Sequence, residues 1–263
     1  MNASNSKKIA LNLPTSSEDC KRPAAPREPQ KLPRPVYAVT PFTMLDFPNK
    51  TACIIWFAGC NMRCPYCHNP QIIKSKGRGT VGDIWAFLNK RQGLLDGVVL
   101  SGGEATSFQG LIPFAQKLRE LGYAIKLDTN GTRPTVVKEL LDRNLVDYIA
   151  LDYKAPPEKF MKVTGIRNFE TFNQTLETLC LQSNIPFEIR TTVHTDLLDE
   201  DDINKIITDL DDKNYQGTYY IQNYIDDNDR PTFGNLRPQN RLLDKSRLLT
   251  PTKFNIEFRN FPQ

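Results

Sequence analysis

The sequence of 263 residues contains no run of 18 or more apolar residues, and its N-terminus has no apolar stretch of signal-peptide length. A helix needs about 20 apolar residues to cross a bilayer, so we expect neither a membrane-spanning segment nor an ordinary secretory signal. We therefore expect a cytoplasmic protein with no membrane partner. Its hydrophobic share of 39% and charged share of 24% are typical of a globular protein.

The first 35 residues lack aromatic side chains, since the first aromatic residue is Tyr37. They also hold six of the 19 prolines, so they cannot bury enough apolar surface to offset the entropy lost on ordering. We predict a disordered arm over residues 1–35 and one domain over residues 36–263. The net charge of this arm equals the whole-chain excess of +4, so the domain is electrically balanced. We therefore expect no nucleic-acid partner.

From Thr51 onward, short apolar runs alternate with longer segments of helical periodicity, which is the pattern of repeated βα units and a parallel sheet. Six strands are predicted: Thr51–Ala58, Gly97–Ser101, Ala124–Asp128, Tyr148–Asp152, Pro186–Val193 and Gly217–Asn223. Five helices are predicted between them: Val81–Arg91, Phe108–Leu121, Pro134–Arg143, Asn168–Gln182 and Asp199–Asp211. A further strand is suggested where Phe254, Ile256 and Phe258 alternate. Six strands fit a partial open barrel or a doubly wound sheet, and both place a site at the carboxyl ends of the strands.

Charge is unevenly distributed late in the chain. Residues 196–229 are rich in Asp and Glu, and residues 230–259 are rich in Lys and Arg. A solvated helix face with local salt bridges is the simpler interpretation, and a docking surface is the alternative.

Three of the six cysteines, Cys60, Cys64 and Cys67, form a C-x3-C-x2-C loop directly after the first predicted strand. A disulfide is disfavoured in a reducing compartment, and a zinc site usually needs a second Cys/His pair, which the sequence lacks. A 4Fe-4S cluster is held by thiolates at such short spacings, but it needs four ligands. Three cysteines would leave one iron open, which favours chemistry at that iron over simple electron transfer.

Other short motifs follow the next predicted strands: Gly102-Gly103-Glu104, Thr129-Asn130-Gly131 and Lys154. The carboxyl ends of parallel strands meet at one edge, so we expect these motifs near the cysteine loop. Two adjacent glycines permit positive φ and a close approach of the backbone to a ligand. Asp128 and Asp152 end adjacent strands, and they would repel each other unless an ion or Lys154 supplied positive charge.

The cysteine loop, followed by Gly102-Gly103-Glu104, resembles the radical S-adenosylmethionine (SAM) superfamily. Residues 64–69, 127–131 and 151–154 are similar to the C-x-Y-C-H-N, D-T-N-G and L-D-x-K motifs of glycyl-radical-enzyme activases. Residues 43–48 are most similar to the activating protein of anaerobic ribonucleoside-triphosphate reductase. The resemblance covers roughly residues 36–225 and implies an α/β fold, a partial open (β/α)6 TIM-like barrel.

The resemblance also implies a role for individual residues. Cys60, Cys64 and Cys67 would hold a 4Fe-4S cluster whose open iron binds SAM. The residues implied to bind SAM are Gly102, Gly103, Glu104, Asp128, Asn130, Lys154, Arg190 and Val193. The residues that match a monovalent cation site are Asp128, Thr129 and Asp152.

The sequence departs from the family pattern at three places near the predicted site. Tyr153 stands between Asp152 and Lys154, where the family commonly has leucine. Ala105 follows Glu104 where the family usually has proline. Residues 222–224 read Gln-Asn-Tyr where the pyruvate formate-lyase activase has a proline-tyrosine-histidine run, so a SAM-contacting histidine is not carried over. Of the two histidines present, we expect His68 to support the cysteine loop and His194 to cap the fifth strand.

The resemblance implies an activating enzyme that reductively cleaves SAM and generates a glycyl radical on a partner enzyme. We expect that partner to be anaerobic ribonucleoside-triphosphate reductase, with a flavodoxin or ferredoxin-type protein as electron donor. Two alternatives remain open. One is a radical SAM enzyme that acts on a small molecule, such as a 7-carboxy-7-deazaguanine synthase, and the other is an iron–sulfur carrier or zinc module without SAM chemistry.

Overall fold

A computed structural model describes residues 33–226, 232–234 and 236–262. The predicted disordered arm therefore lies almost wholly outside the described residues, as do Asp227 and Asp229 of the acidic segment. Among the residues described, no helix is long and apolar enough to cross a membrane.

The described strands form one sheet whose spatial order follows their order along the chain. They are β1 (Val36–Thr43), β2 (Ala52–Phe57), β3 (Gly97–Gly102), β4 (Ala124–Thr129), β5 (Tyr148–Asp152), β6 (Phe187–Val193), β7 (Thr218–Asn223) and β8 (Asn255–Arg259). Strand β1 is antiparallel to β2, and every later neighbouring pair is parallel. Because β1 and β8 are the two edges of this sheet, it is open, and the predicted α/β fold with a partial open barrel is confirmed.

Helices connect the successive parallel strands from β2 to β7. They are α1 (Pro70–Ile73), α2 (Val81–Asn89), α3 (Leu111–Glu120), α4 (Pro134–Asp142), α5 (Pro157–Thr164), α6 (Glu170–Leu181) and α7 (Glu200–Asp212). All six predicted strands and all five predicted helices are present, with ends that differ by three residues or fewer, and the suggested last strand is β8.

Three elements were not predicted: β1, α1 and α5. Strand β1 contains Pro41, which a sheet tolerates at an edge strand because no inner ladder bond is lost there. Helix α5 follows Pro156 and starts at Pro157. Two adjacent prolines are typical of a loop, but proline is also well suited to the first turn of a helix. Helix α1 has only four residues, too few to show a period.

The two faces of the sheet differ in chemistry. Side chains alternate along each strand, so Ile125 and Leu127 of β4 lie fully buried in the main core, whereas Lys126 and Asp128 lie on the other face. This second face begins with an apolar cluster of Phe47, Ala52, Ile54 and Val99, which Trp56, Ala124 and Tyr148 extend.

Phe47, from the loop after β1, closes the second face at its amino end. Its cluster partners Ala52 and Ala124 begin β2 and β4, so the ring packs where the parallel strands start. The Phe47 side chain is 2% exposed. The opposite, carboxyl end of the same face carries the polar residues that the sequence singled out.

Candidate active site

A cavity of about 230 Å³ lies at the carboxyl ends of the parallel strands. Its lining includes nearly all the site residues predicted from the sequence: Cys60, Cys64, Cys67, Gly102, Gly103, Glu104, Asp128, Thr129, Asn130, Asp152, Lys154 and Arg190. The strand order of the sheet thus brings together motifs that are up to 130 residues apart in the chain.

Val193 is the exception, because it does not line this cavity, and its place in the SAM site stays a prediction. It is fully buried in the main core, whereas its neighbour Thr192 lines the cavity. The reason is the two-residue period of β6, which puts Arg190 and Thr192 on one face and Val193 on the other.

The cysteine loop follows β2 along one wall of the cavity. Cys64 is buried, and Cys60 and Cys67 are half-buried. Burial raises the pKa of the Cys60 thiol to about 12 and that of the Cys64 thiol to about 11. These thiols therefore need a strong positive partner, such as iron, to bind as thiolates at neutral pH. Cys53 in β2 and Cys180 in α6 do not line this cavity, and Cys20 lies outside the described residues.

The arrangement of the thiols fits a cluster. Within the described part of the chain, no three Cys, His, Asp or Glu side chains are grouped as a single metal ion requires. A 4Fe-4S cluster does not require that grouping, because each thiolate binds a different iron atom. Cys60, Cys64 and Cys67 line one cavity and would hold three irons of such a cluster, so the fourth iron would have no cysteine ligand from this loop.

Arg63, within the cysteine loop, holds the loop in shape. Its guanidinium Nη1 donates to the carbonyl oxygens of Cys60 and Met62, both at 2.7 Å. Its backbone N–H donates to the carbonyl of Thr164 at the end of α5, also at 2.7 Å. This role for Arg63 was not predicted from the sequence. Its position between Cys60 and Cys64 is the feature that could have indicated it.

The glycine pair allows the end of β3 to cross the start of the cysteine loop. Gly102 has a φ of +126°, so the predicted positive φ is present. A Cβ on Gly102 would lie 2.3 Å from backbone atoms of Phe57, and one on Gly103 would lie 2.0 Å from the carbonyl oxygen of Gly59. The close approach that these glycines permit is therefore to the protein's own backbone, and it fixes β3 against the loop that carries the cysteines.

Glu104 is buried at the floor of the cavity, with 2% of its surface exposed. Its Oε1 accepts hydrogen bonds from the backbone N–H and hydroxyl of Thr106 and from the hydroxyl of Thr129, and its Oε2 accepts one from the N–H of Asn130. Burial raises the pKa of the Glu104 carboxyl, although these hydrogen bonds oppose the shift. The carboxylate thus joins the loops after β3 and β4.

A closed ring of hydrogen bonds ties the loop after β4 to the cysteine loop. Asn130 Nδ2 donates to Asn61 Oδ1 at 2.9 Å, Asn61 Nδ2 donates to Thr132 Oγ1 at 2.6 Å, and Thr132 Oγ1 donates to Asn130 Oδ1 at 2.7 Å. The Asn130 amide, predicted to bind SAM, is therefore engaged in holding the cysteine loop. The sequence carried no signal for Asn61 or Thr132 in this role.

Positively charged side chains contact the two carboxylates at the strand ends. Lys126 Nζ lies 2.7 Å from Asp128, Lys154 Nζ lies 3.1 Å from Asp152, and Arg190 Nε lies 3.0 Å from Asp152. Burial alone would raise the pKa of Asp152, but Arg190 and Lys154 outweigh it and hold that pKa below its usual value. The sequence predicted only an ion or Lys154 here, and the contributions of Lys126 and Arg190 were missed.

The two histidines lie on either side of Tyr224. His194 is fully buried, and its Nδ1 accepts a hydrogen bond from the N–H of Asp196, so Nε2 carries the proton and donates to the carbonyl of Arg237 at 2.8 Å. The His68 ring stacks on Tyr224 with 5.3 Å between centroids, and the His194 ring meets Tyr224 edge-on at 5.0 Å. Tyr224 thus packs between the cysteine loop and the end of β6.

Comparisons with known proteins agree with this site. A family model described as the radical SAM superfamily matches residues 54–211. A candidate glycyl-radical enzyme activating enzyme of Methanocaldococcus jannaschii is 36% identical over 183 residues, which cover 67% of this chain and 75% of that protein. A pyruvate formate-lyase-activating enzyme of Listeria monocytogenes is 35% identical over 129 residues, which cover 44% of this chain and 52% of that protein.

The fold has solved counterparts. The crystal structure of Streptococcus suis SuiB bound to S-adenosylmethionine superposes with a TM-score of 0.55 and 12% sequence identity, over 79% of this chain and 52% of that chain. This chain thus spans about half the length of that structure, and at this identity the similarity shows the fold alone.

Proposed function

Because the chain belongs to the radical SAM superfamily, we propose that it activates a partner enzyme by generating a glycyl radical on it. The single observation that carries this proposal is the cavity in which a three-cysteine loop faces the charged ends of β4, β5 and β6. A 4Fe-4S cluster held by Cys60, Cys64 and Cys67 would supply the electron for reductive cleavage of SAM, which is the chemistry that a glycyl-radical activase requires.

Several of the predicted residues have a proposed task. Cys60, Cys64 and Cys67 would hold the cluster, and the Arg63 and Asn61 contacts keep their loop in one shape. Lys154 lines the cavity with Asp152 as its carboxylate partner, and an ammonium has three donors, so Lys154 can also bind the SAM carboxylate.

SAM also has a positively charged end. Glu104 would provide the negative charge that attracts its ammonium group, because this buried carboxylate lines the same cavity. Gly102 and Gly103 line the same cavity beside Glu104, and their backbone would contact the methionyl end of SAM.

The choice of partner rests on the relatives and on the open sheet. Two relatives carry names that identify them as activating enzymes, one of a glycyl-radical enzyme and one of pyruvate formate-lyase. Over the described residues the sheet does not close between β1 and β8, and this would leave a side through which a polypeptide loop can reach the cavity. We propose anaerobic ribonucleoside-triphosphate reductase as the partner, from the resemblance of residues 43–48, with a flavodoxin or ferredoxin as electron donor in the cytoplasm.

The test is anaerobic reconstitution of the full chain, followed by reaction with SAM, a reductant and anaerobic ribonucleotide reductase. We expect a stable carbon-centred radical on the reductase, a doublet split by the remaining α-hydrogen, with 5′-deoxyadenosine and methionine formed in equal amounts. Pyruvate formate-lyase in the same assay should give much less radical. The proposal fails if neither partner acquires a radical while a small molecule is turned over.

A matched pair of variants ties the result to the cavity. Cys60 and Cys180 are both half-buried, but only Cys60 lines the cavity. Cys60→Ala should abolish SAM cleavage and lower the iron content, whereas Cys180→Ala should leave both unchanged. Loss of iron in Cys180→Ala would contradict the assignment of the ligands.

A further inference from the structure

A buried lysine contacts Asp128, one of the carboxylates that the family resemblance assigns to an inorganic cation. Lys126 and Asp128 are two residues apart on β4, so both side chains project from the same face of the sheet. The Lys126 side chain is 4% exposed, its Nζ lies 2.7 Å from Asp128 Oδ1, and it lies 5.9 Å from the centre of the Tyr148 ring. An ammonium this far from solvent is costly without a carboxylate partner, so Lys126 and Asp128 require each other.

The oxygens that an ion would need already have positive or hydrogen-bonding partners. Asp152 Oδ1 meets Arg190 Nε, and Asp152 Oδ2 meets Lys154 Nζ. Asp128 Oδ1 meets Lys126, and Asp128 Oδ2 lies 3.8 Å from Arg190 Nη1. The hydroxyl of Thr129, the third residue matched to a cation site, donates to Glu104 and accepts from the N–H of Gly131.

The buried charges of this connected group are balanced without an ion. Arg190 also lies 3.8 Å from Glu188. Glu188 in turn lies 3.8 Å from Arg259, whose side chain is 39% exposed and therefore screened by water. The buried part of the group contains three cations and three carboxylates: Lys126, Lys154, Arg190, Asp128, Asp152 and Glu188. An added alkali ion would leave a net positive charge in a buried site. Loss of Lys126 would leave a net negative charge that such an ion could neutralise.

We propose that the Lys126 ammonium takes the place of a bound monovalent cation, so that this protein folds and binds SAM without K⁺ or Na⁺. The part of this inference that concerns SAM rests on the proposed function, whereas the part that concerns the cation does not.

Thermal unfolding of the full-length protein tests the cation directly. We expect the wild type to unfold at the same temperature, within about 1 °C, in the chlorides of K⁺, Na⁺ and tetramethylammonium at equal ionic strength. Lys126→Met should unfold at a lower temperature in tetramethylammonium chloride and regain about 3–6 °C in K⁺ or Na⁺, because an alkali ion that binds only the folded state stabilises it.

Two controls define the site. The double variant Lys126→Met with Asp128→Asn lacks both charges, and it should show no preference among the three salts. Lys138→Met removes an exposed lysine that is paired with Asp142, and it should also show none. Selective stabilisation of the wild type by K⁺ or Na⁺ would overturn the proposal, and this holds even if Lys126→Met does not fold. A folded Lys126→Met with no response to K⁺ or Na⁺ would also overturn it.

SAM affinity after anaerobic reconstitution separates this proposal from the proposed function. The wild type should bind SAM equally well in the K⁺ and tetramethylammonium salts, and Lys126→Met should bind at least tenfold more tightly in K⁺ than in tetramethylammonium. A wild type that binds no SAM in any salt would count against the proposed function, while the unfolding temperatures would still decide the cation question.

Discussion

The Glu104 carboxylate connects two loops that are 25 residues apart in the chain. Its two oxygens accept four hydrogen bonds, from Thr106, Thr129 and the Asn130 N–H, in a site shielded from water. Hydrogen bonds to a buried charged group are stronger than neutral ones, and a lost acceptor leaves a buried donor unsatisfied. Glu104 therefore has a structural task beside the SAM contact proposed for it.

Glu104→Gln separates these two tasks. The amide keeps the size of the side chain and one acceptor oxygen, but it loses the negative charge. We expect SAM to bind at least about 30-fold more weakly, because removal of one partner of a desolvated charge pair costs about 2–5 kcal/mol. Equilibrium dialysis of the reconstituted protein measures this loss, and the iron content should stay unchanged.

The exposed pair of Glu120 with Lys117 supplies the control, and Glu120→Gln should leave SAM affinity unchanged. An unaltered affinity in Glu104→Gln would remove the proposed contact with the SAM ammonium.

At the scale of elements, helix α7 binds the segment that follows β7. Glu200 begins α7, and its carboxylate accepts hydrogen bonds from Arg241 at 2.7 Å and from the N–H of Asp244 at 2.8 Å. Farther along α7, Asp211 accepts from the backbone of Thr252 and Lys253. Acidic residues of the 196–229 segment thus make salt bridges and hydrogen bonds to the basic segment.

The pH dependence of stability should report the Glu200 contact. Arg241 holds the pKa of Glu200 at about 2, below its ordinary value of about 4.3. A carboxyl with a lowered pKa in the folded state contributes stability above its ordinary pKa, and this contribution is lost as the pH falls toward 2. We expect Glu200→Gln to lower the unfolding temperature by about 2–6 °C at pH 7.

Below pH 5 the difference in unfolding temperature between Glu200→Gln and the wild type should shrink. Thermal unfolding measured from pH 7 to pH 3 would show this. Glu158→Gln breaks an exposed pair with Lys205 and should change the unfolding temperature by only about 1 °C. A constant difference across this pH range would contradict the assigned Glu200 contact.

At the scale of the whole described domain, polarity changes along the second face of the sheet, the face that carries the Phe47 cluster. The Phe47 cluster lies at the amino ends of the strands, the charged group around Arg190 comes next, and the cavity lies at the carboxyl ends. The apolar end stabilises the fold, and the polar end is free to carry chemistry.

Phe47→Ala should therefore affect stability and leave the site intact. Loss of a buried phenylalanine ring costs about 3–5 kcal/mol, so we expect the unfolding temperature to fall by roughly 8–15 °C. SAM affinity measured well below that temperature should change less than twofold. The control is Phe42→Ala, at a nearby side chain that is 51% exposed, and it should have little effect on either quantity. A large loss of SAM affinity with an unchanged unfolding temperature would place Phe47 in the site instead.

Local pattern in the sequence determined much of this protein. Alternating apolar runs predicted the six parallel strands, because strand periodicity and burial are set by neighbouring residues. The spacing of Cys60, Cys64 and Cys67 and the placement of Glu104 and Lys154 after strands predicted one shared site. These predictions depend only on short segments and on the rule that parallel strands end at a common edge.

Contacts between distant segments were decided only by the tertiary structure. The sequence could not show that Arg190 meets both Asp128 and Asp152, that Asn61 closes a ring with Asn130 and Thr132, or that Lys126 points toward Asp128. Each of these depends on strand register and sheet curvature, which arise from the packing of the whole core. A buried charge must find an opposite charge within about 4 Å, and which side chain supplies it is settled only when the strands lie side by side.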